Sequence, residues 1–79
     1  MRPPAAGTER TMYEIVVRGA FGDLLTSAFA DVSAEVKGGN TVLLAPIRDQ
    51  AELFGFLDRL RDLGLHVAGV NEVRARVAN

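Results

Sequence analysis

The side chains able to do chemistry in this chain are few, and their spacing does not gather them. His66 is the only histidine, so a cluster of imidazole ligands is ruled out, and a catalytic histidine would need its acid and nucleophile from distant positions. Set between Leu65 and Val67, it reads as a surface residue opening a strand. Ser27 and Ser33 lack the glycine-flanked turn that exposes a serine nucleophile. Glu52, Asp58 and Asp62 alternate with Arg48, Arg59 and Arg61 on a helical pattern, which solvation and ion pairing explain without a general acid–base pair. The lack of cysteine removes disulfides, thiolate metal sites, iron–sulfur clusters and cysteine nucleophiles together. The expectation is a protein that is not an enzyme and uses no metal and no cofactor.

One stretch has the form of a ligand turn. Gly19 to Gly22, read GAFG, follows a strand pattern and leads into a helical one, so its N–H groups could receive an anion or a ligand carboxylate. The plainer reading is a turn whose glycines supply positive φ. Composition narrows the partners further: 48% hydrophobic and 24% charged residues with a net charge of −1 describe an ordinary globular domain, not a generally basic nucleic-acid binder. No segment approaches the roughly 20 apolar residues that span a bilayer, and MRPPAAGTERT has no signal-peptide core, so neither membrane nor nucleic acid is expected and the cytoplasm is the expected compartment.

The elements that must position these residues follow from periodicity. At 79 residues the chain has room for one core. Residues 1–11, with two prolines and a glycine, read as a flexible leader, and residues 12–79 as a single domain. Tyr13, Ile15 and Val17 alternate as the inward side of a first strand. DLLTSAF then sets Leu25, Ala28 and Phe29 on one stripe of a short helix. DVSAEVK alternates with Val32, Ala34 and Val36 inward and ends at GGN, a hairpin turn. TVLLA is the returning strand, with Val42 and Leu44 inward and Pro46 ending it.

Residues 49–67, DQAELFGFLDRLRDLGLHV, carry the fullest pattern. Asp49 can cap a helix and Glu52 complete a capping box. On a helical wheel Phe56, Leu57, Leu60 and Leu63 lie within roughly 80° of Leu53, and Gly64 with Leu65 suits a Schellman stop. Phe54, roughly 100° from that stripe, is either a second half-exposed contact or the core's edge. The remaining residues form a last strand with a phase change near Gly69 and Asn71, as a bulge gives. The order βαββαβ predicts an α+β, ferredoxin-like fold: a four-stranded antiparallel sheet with two helices on one face. On this reading Leu57→Ala costs about 2 to 5 kcal/mol.

These segments resemble a group of small bacterial proteins, common in actinobacteria. The resemblance rests on Tyr13, Ile15, Val17 and Gly19; on Gly39, Thr41 and Leu43; on Asp49, Gln50, Ala51, Leu53, Gly55 and Leu57; and on Leu63, Gly64 and Leu65. It covers about residues 12 to 70 and departs from the pattern at TSAFADVS. It implies the same fold and brings no catalytic residues with it. The turn at Gly19 and Gly22 also resembles that of ACT-type amino-acid-sensing domains, which share the topology.

What remains is the uncovered sheet face. Val16, Leu43 and Ala68 are expected to make its apolar centre, rimmed by Glu14, Arg18, Glu35 and Lys37, as on a surface that meets another protein. An RNA-binding sheet would need aromatic side chains where Val16 and Leu43 stand. The leading expectation is therefore a protein-interaction or regulatory module that pairs through this face, as a homodimer or with a host protein. The alternative is an ACT-like sensor of an amino acid or similar anion at Gly19 to Gly22.

Overall fold

The computed structural model describes residues 10–73. They form β1 (Thr11–Arg18), α1 (Gly22–Ala28), β2 (Ser33–Lys37), β3 (Asn40–Ile47), α2 (Gln50–Asp62) and β4 (Val67–Val73). The strands make one antiparallel sheet in the order β2-β3-β1-β4. Leu25 of α1 and Leu53 and Leu60 of α2 share one core with Ile15, Val17, Leu43, Ala45 and Ile47. All five sheet residues project from one side, so both helices cover a single face and leave the other open. This is the expected α+β, ferredoxin-like arrangement. Most of the expected leader, residues 1–9, and residues 74–79 lie outside the described residues; Thr11 already belongs to β1.

The β2–β3 hairpin decides which residues reach which face. Gly38 and Gly39 both take positive φ, 58° and 83°, as a two-residue type I′ turn requires. That turn pairs Lys37 with Asn40 and Val36 with Thr41. Thr41 therefore shares the helix-covered side, followed by Leu43, Ala45 and Ile47, and Ile15 stands directly opposite Leu43. This inverts the expected phase of β3. Leu43, expected on the open face, is 0% exposed in the core, while Leu44, expected inside, is 36% exposed with Val42 on the open face. The reason is chemical as well as geometric: a polar threonine heads the inward phase, and TVLLAPI is apolar in both phases.

Smaller corrections have similar causes. Val36 is on the helix side but remains exposed, since β2 is an edge strand whose flank α1 only partly covers. Pro46 does not end β3, which runs to Ile47. Pairing with β2 stops at Leu44, so at Pro46 only β1 remains alongside, and a residue without an N–H is tolerated where one side of the strand is unpaired. Gly22 is the first residue of α1 and not a positive-φ turn residue; Gly19, with φ of 101°, has that role alone in the GAFG stretch. In β4 the register shifts against Val16 and Val17, so Val16 faces Gly69 and Ala68 is the extra residue of a bulge. Ala68 is thus not the neighbour expected beside Val16.

α2 follows its sequence closely. The Asp49 carboxylate accepts the Glu52 N–H at 2.8 Å, satisfying one of the free donors of the first turn. Glu52 reaches back to the Arg48 N–H at 2.6 Å, one residue earlier than a capping box prescribes. At the other end Leu65 N–H donates to Leu60 C=O and Gly64 N–H to Arg61 C=O, the two bonds of a Schellman motif, with Gly64 at φ 84°. Leu53 and Leu60 are buried, Phe56 and Leu57 half-buried, and Leu63, counted in the expected stripe, is exposed at the C-cap.

Candidate functional site

The open face can be read from the register as rows crossing the strands. Glu35, Val42, Val16 and Gly69 form one row; Ser33, Leu44, Glu14 and Asn71 the next; Pro46, Met12 and Val73 a third. Beyond the first row on the opposite side lie Lys37, Asn40 and Arg18. Val16 and Val42 are half-buried neighbours, and Met12, Leu44 and Val73 are exposed. Of the expected interaction residues the sheet therefore brings Val16 and Arg18 to this face and withholds Leu43. Val42, Leu44, Met12 and Pro46 were missed. A two-residue reading of GG would have found Val42, Leu44 and Pro46, because it fixes the pairing of Lys37 with Asn40 and hence the phase of β3, while Met12 follows from the alternation of β1.

The GAFG turn is already engaged. Asn40 Oδ1 accepts the Gly19 N–H at 3.3 Å, and Thr41 Oγ1 accepts the Phe21 N–H at 2.8 Å while its own hydroxyl donates to the Gly19 C=O at 2.7 Å. Thr41 is polar and 0% exposed, and these bonds meet the requirement that a buried hydroxyl be paired. Two of the N–H groups that a carboxylate would use are thus spent inside the protein, and the turn's geometry is that of a clasp. Gly19 has its own reason to be glycine: besides its positive φ, an added Cβ would land on the Phe21 ring.

The ionisable groups stay at the surface. His66 is exposed just before β4 and contributes only its C=O, which accepts the Arg18 N–H at 2.9 Å. Ser27 and Ser33 are exposed. Asp58 pairs with Arg61 at 2.9 Å and Glu52 with Arg48 at 3.4 Å. The Arg48 backbone N–H holds the Glu52 carboxyl below its usual range; desolvation opposes this, and the Arg48 side chain and the charge of Arg10 add to it. Among the described residues no group of three His, Asp or Glu side chains could hold a metal ion, and no helix is long and apolar enough to cross a membrane. Phe54 is exposed in a groove between α2 and β4, beside Leu57, Leu65 and Val67.

Residues 12–71, which take in both helices, β2, β3 and most of β1 and β4, match the family described as a domain of unknown function, DUF8691. The chain belongs to the DUF8691 family. No curated protein and no solved structure matches it. The match begins at Met12 and so takes in nearly all of β1, the Gly19–Thr41 clasp and both caps of α2. In this member of DUF8691, Gly19 and Thr41 are bonded to each other, the Thr41 hydroxyl donating to the Gly19 C=O.

Proposed function

We propose that the chain is a non-enzymatic interaction module that pairs with a second copy of itself through the open face of its sheet. The observation that carries this reading is the outward column of Val16, Val42, Leu44, Met12 and Pro46, which none of the described elements covers. Strands of up to eight residues, at about 3.3 Å per residue and about 4.8 Å apart, give four of them a platform on the order of 500 Å². Full overlap of two such platforms would bury on the order of 1,000 Å², the size at which specific interfaces begin.

Charge agrees with pairing of like copies. A two-fold axis lying across the strands along the Val42–Val16 row sets these valines on their counterparts. The same axis carries the Lys37–Arg18 row over the Ser33–Glu14 row of the second copy, so that Glu14 meets Arg18 of the other chain. Glu35, which this axis places near its own counterpart, is already paired with Lys37 at 3.9 Å. Rim charges of this kind set register more than affinity.

Sedimentation tests the proposal. Wild type should run as a dimer, and Val42→Glu or Leu44→Glu as a folded monomer, because each places a carboxylate in the outward apolar column of β3 that pairing would bury. Glu14→Arg and Arg18→Glu should each weaken the dimer, and the two together should restore it. A wild-type monomer up to millimolar concentration, or a double swap no better than either single one, would overturn the reading.

A further inference from the structure

On the helix side of the sheet α1 stops short of the far end of β3, and the space left there is a cavity of about 440 Å³, within the range that takes a small molecule. Its floor is apolar: Ala45 and Ile47 of β3, Val32, and the rings of Phe29 and Phe56, whose centroids lie 4.5 Å apart. Three charged side chains stand at the rim. The Glu52 carboxylate is committed to the Arg48 N–H, and Asp31 lies on the loop leading to β2. The third, Arg59, rests its guanidinium 4.8 Å from the centre of the Phe29 ring. Among the described residues no carboxylate lies within ion-pair distance of Arg59.

Gly55 supplies an independent pointer. It sits inside α2, where glycine is costly relative to alanine. Its φ is not positive, and a Cβ built there would meet nothing within 4 Å. Neither backbone conformation nor internal packing asks for glycine, yet this bare stretch of helix forms a wall of the cavity. Close approach of a ligand to the backbone is a reason that does ask for it.

We infer that this cavity binds a small carboxylate with a flat apolar body. The body lies against Phe56 and the Gly55 backbone, and the carboxylate pairs with Arg59, which Phe29 holds in place. A planar guanidinium suits a carboxylate, since it can donate two parallel hydrogen bonds. The site is on the opposite side of the sheet from the open face, so it stands or falls separately from the dimer.

Titration of the ¹⁵N-labelled full chain with 3-phenylpropionate and indole-3-acetate, and with the primary amide of each, tests the inference. The acids should shift the amides of Gly55, Ala45 and Ile47 with a dissociation constant of about 1 mM or tighter, as expected for ligands of this size. Their amides should bind at least about tenfold more weakly, a difference readily measured. Arg59→Gln should reduce the acids to the affinity of the amides. Gly55→Ala should raise the melting temperature of the free protein and weaken the acids by about tenfold or more. Shifts that fail to saturate by about 10 mM, far above the constant expected, would overturn the site. So would unchanged binding in Gly55→Ala, or a lower melting temperature there, which would give the glycine a purely structural reason.

Discussion

The first helix is seven residues long, starts at Phe21 with no side-chain cap and ends at Phe29 in extended backbone. The thirteen residues of the second begin on the Asp49 carboxylate and stop in a Schellman motif at Gly64. Both cover the same face of one sheet. What holds the start of α1 comes from β3, where Thr41 and Asn40 bond the turn that leads into it across about twenty residues of sequence. α2 carries its boundary signals within its own segment. The start of α1 thus depends on bonds from the hairpin behind it, whereas the bonds that begin and end α2 lie within its own segment.

Local signals alone do not hold α2 in place, because isolated helices of this length are marginal in water. Leu60 is 0% exposed and shares its core with Leu25 of α1. Leu60→Ala should therefore cost about 2 to 5 kcal/mol, enough to leave a domain this small largely unfolded, with both helices lost together in a thermal melt followed by circular dichroism. Leu57 is only half-buried and belongs at the low end of that range. A Leu60→Ala melting temperature within a few degrees of wild type would mean that α2 is anchored by its caps and not by its apolar stripe, which would deepen the contrast between the helices.

Thr41 sharpens the contrast from the other side. Thr41→Val keeps the shape, but leaves the Phe21 N–H and the Gly19 C=O without their buried partner. The expected cost is about 2 to 3 kcal/mol, and Thr41→Ser, which retains the hydroxyl, should recover most of it. Hydrogen exchange should show the amides of α1 losing protection while those of α2 keep theirs. Equal loss in both helices would erase the distinction between a borrowed start and a self-contained one.

The same distinction explains what could be read in advance. Asp49, Glu52, Gly64 and Leu65 act through neighbours in sequence, so the limits of α2 were legible, as were the helical spacing of Leu53 and Leu60 and the alternation of Ile15 and Val17 in β1. The phase of β3 was not. Its inward side is headed by Thr41, whose burial is made tolerable by a turn some twenty residues away, and hydropathy counts such a residue as outward. Leu43 and Leu44 then exchange places, and with them the composition of the open face. The bulge of β4 was legible near Gly69, but its extra residue, Ala68, was not, since that shows only against the register of β1. The cavity was hidden as well: Gly55 looks like an ordinary weak point of a helix until the space beside it is seen to be empty.

The smallest effects belong to the first turn of α2. Asp49→Ala should cost about 1 kcal/mol, the usual loss for an N-cap, and should fray α2 while leaving the clasp at Thr41 intact. Glu52 gives this turn a pH dependence. Its carboxyl is held below the ordinary value of 4.5, chiefly by the Arg48 backbone N–H. In the unfolded chain it titrates at that ordinary value, so the folded state holds its charge more tightly and gains stability from it above pH 4.5. That gain fades as pH falls through the lower folded value. The stability difference between wild type and Glu52→Gln should accordingly be constant near neutrality and shrink below pH 4.5. A difference that stayed flat into acid would show that the amide of glutamine reproduces the bond to Arg48, and that the charge of Glu52 adds nothing to the start of the helix.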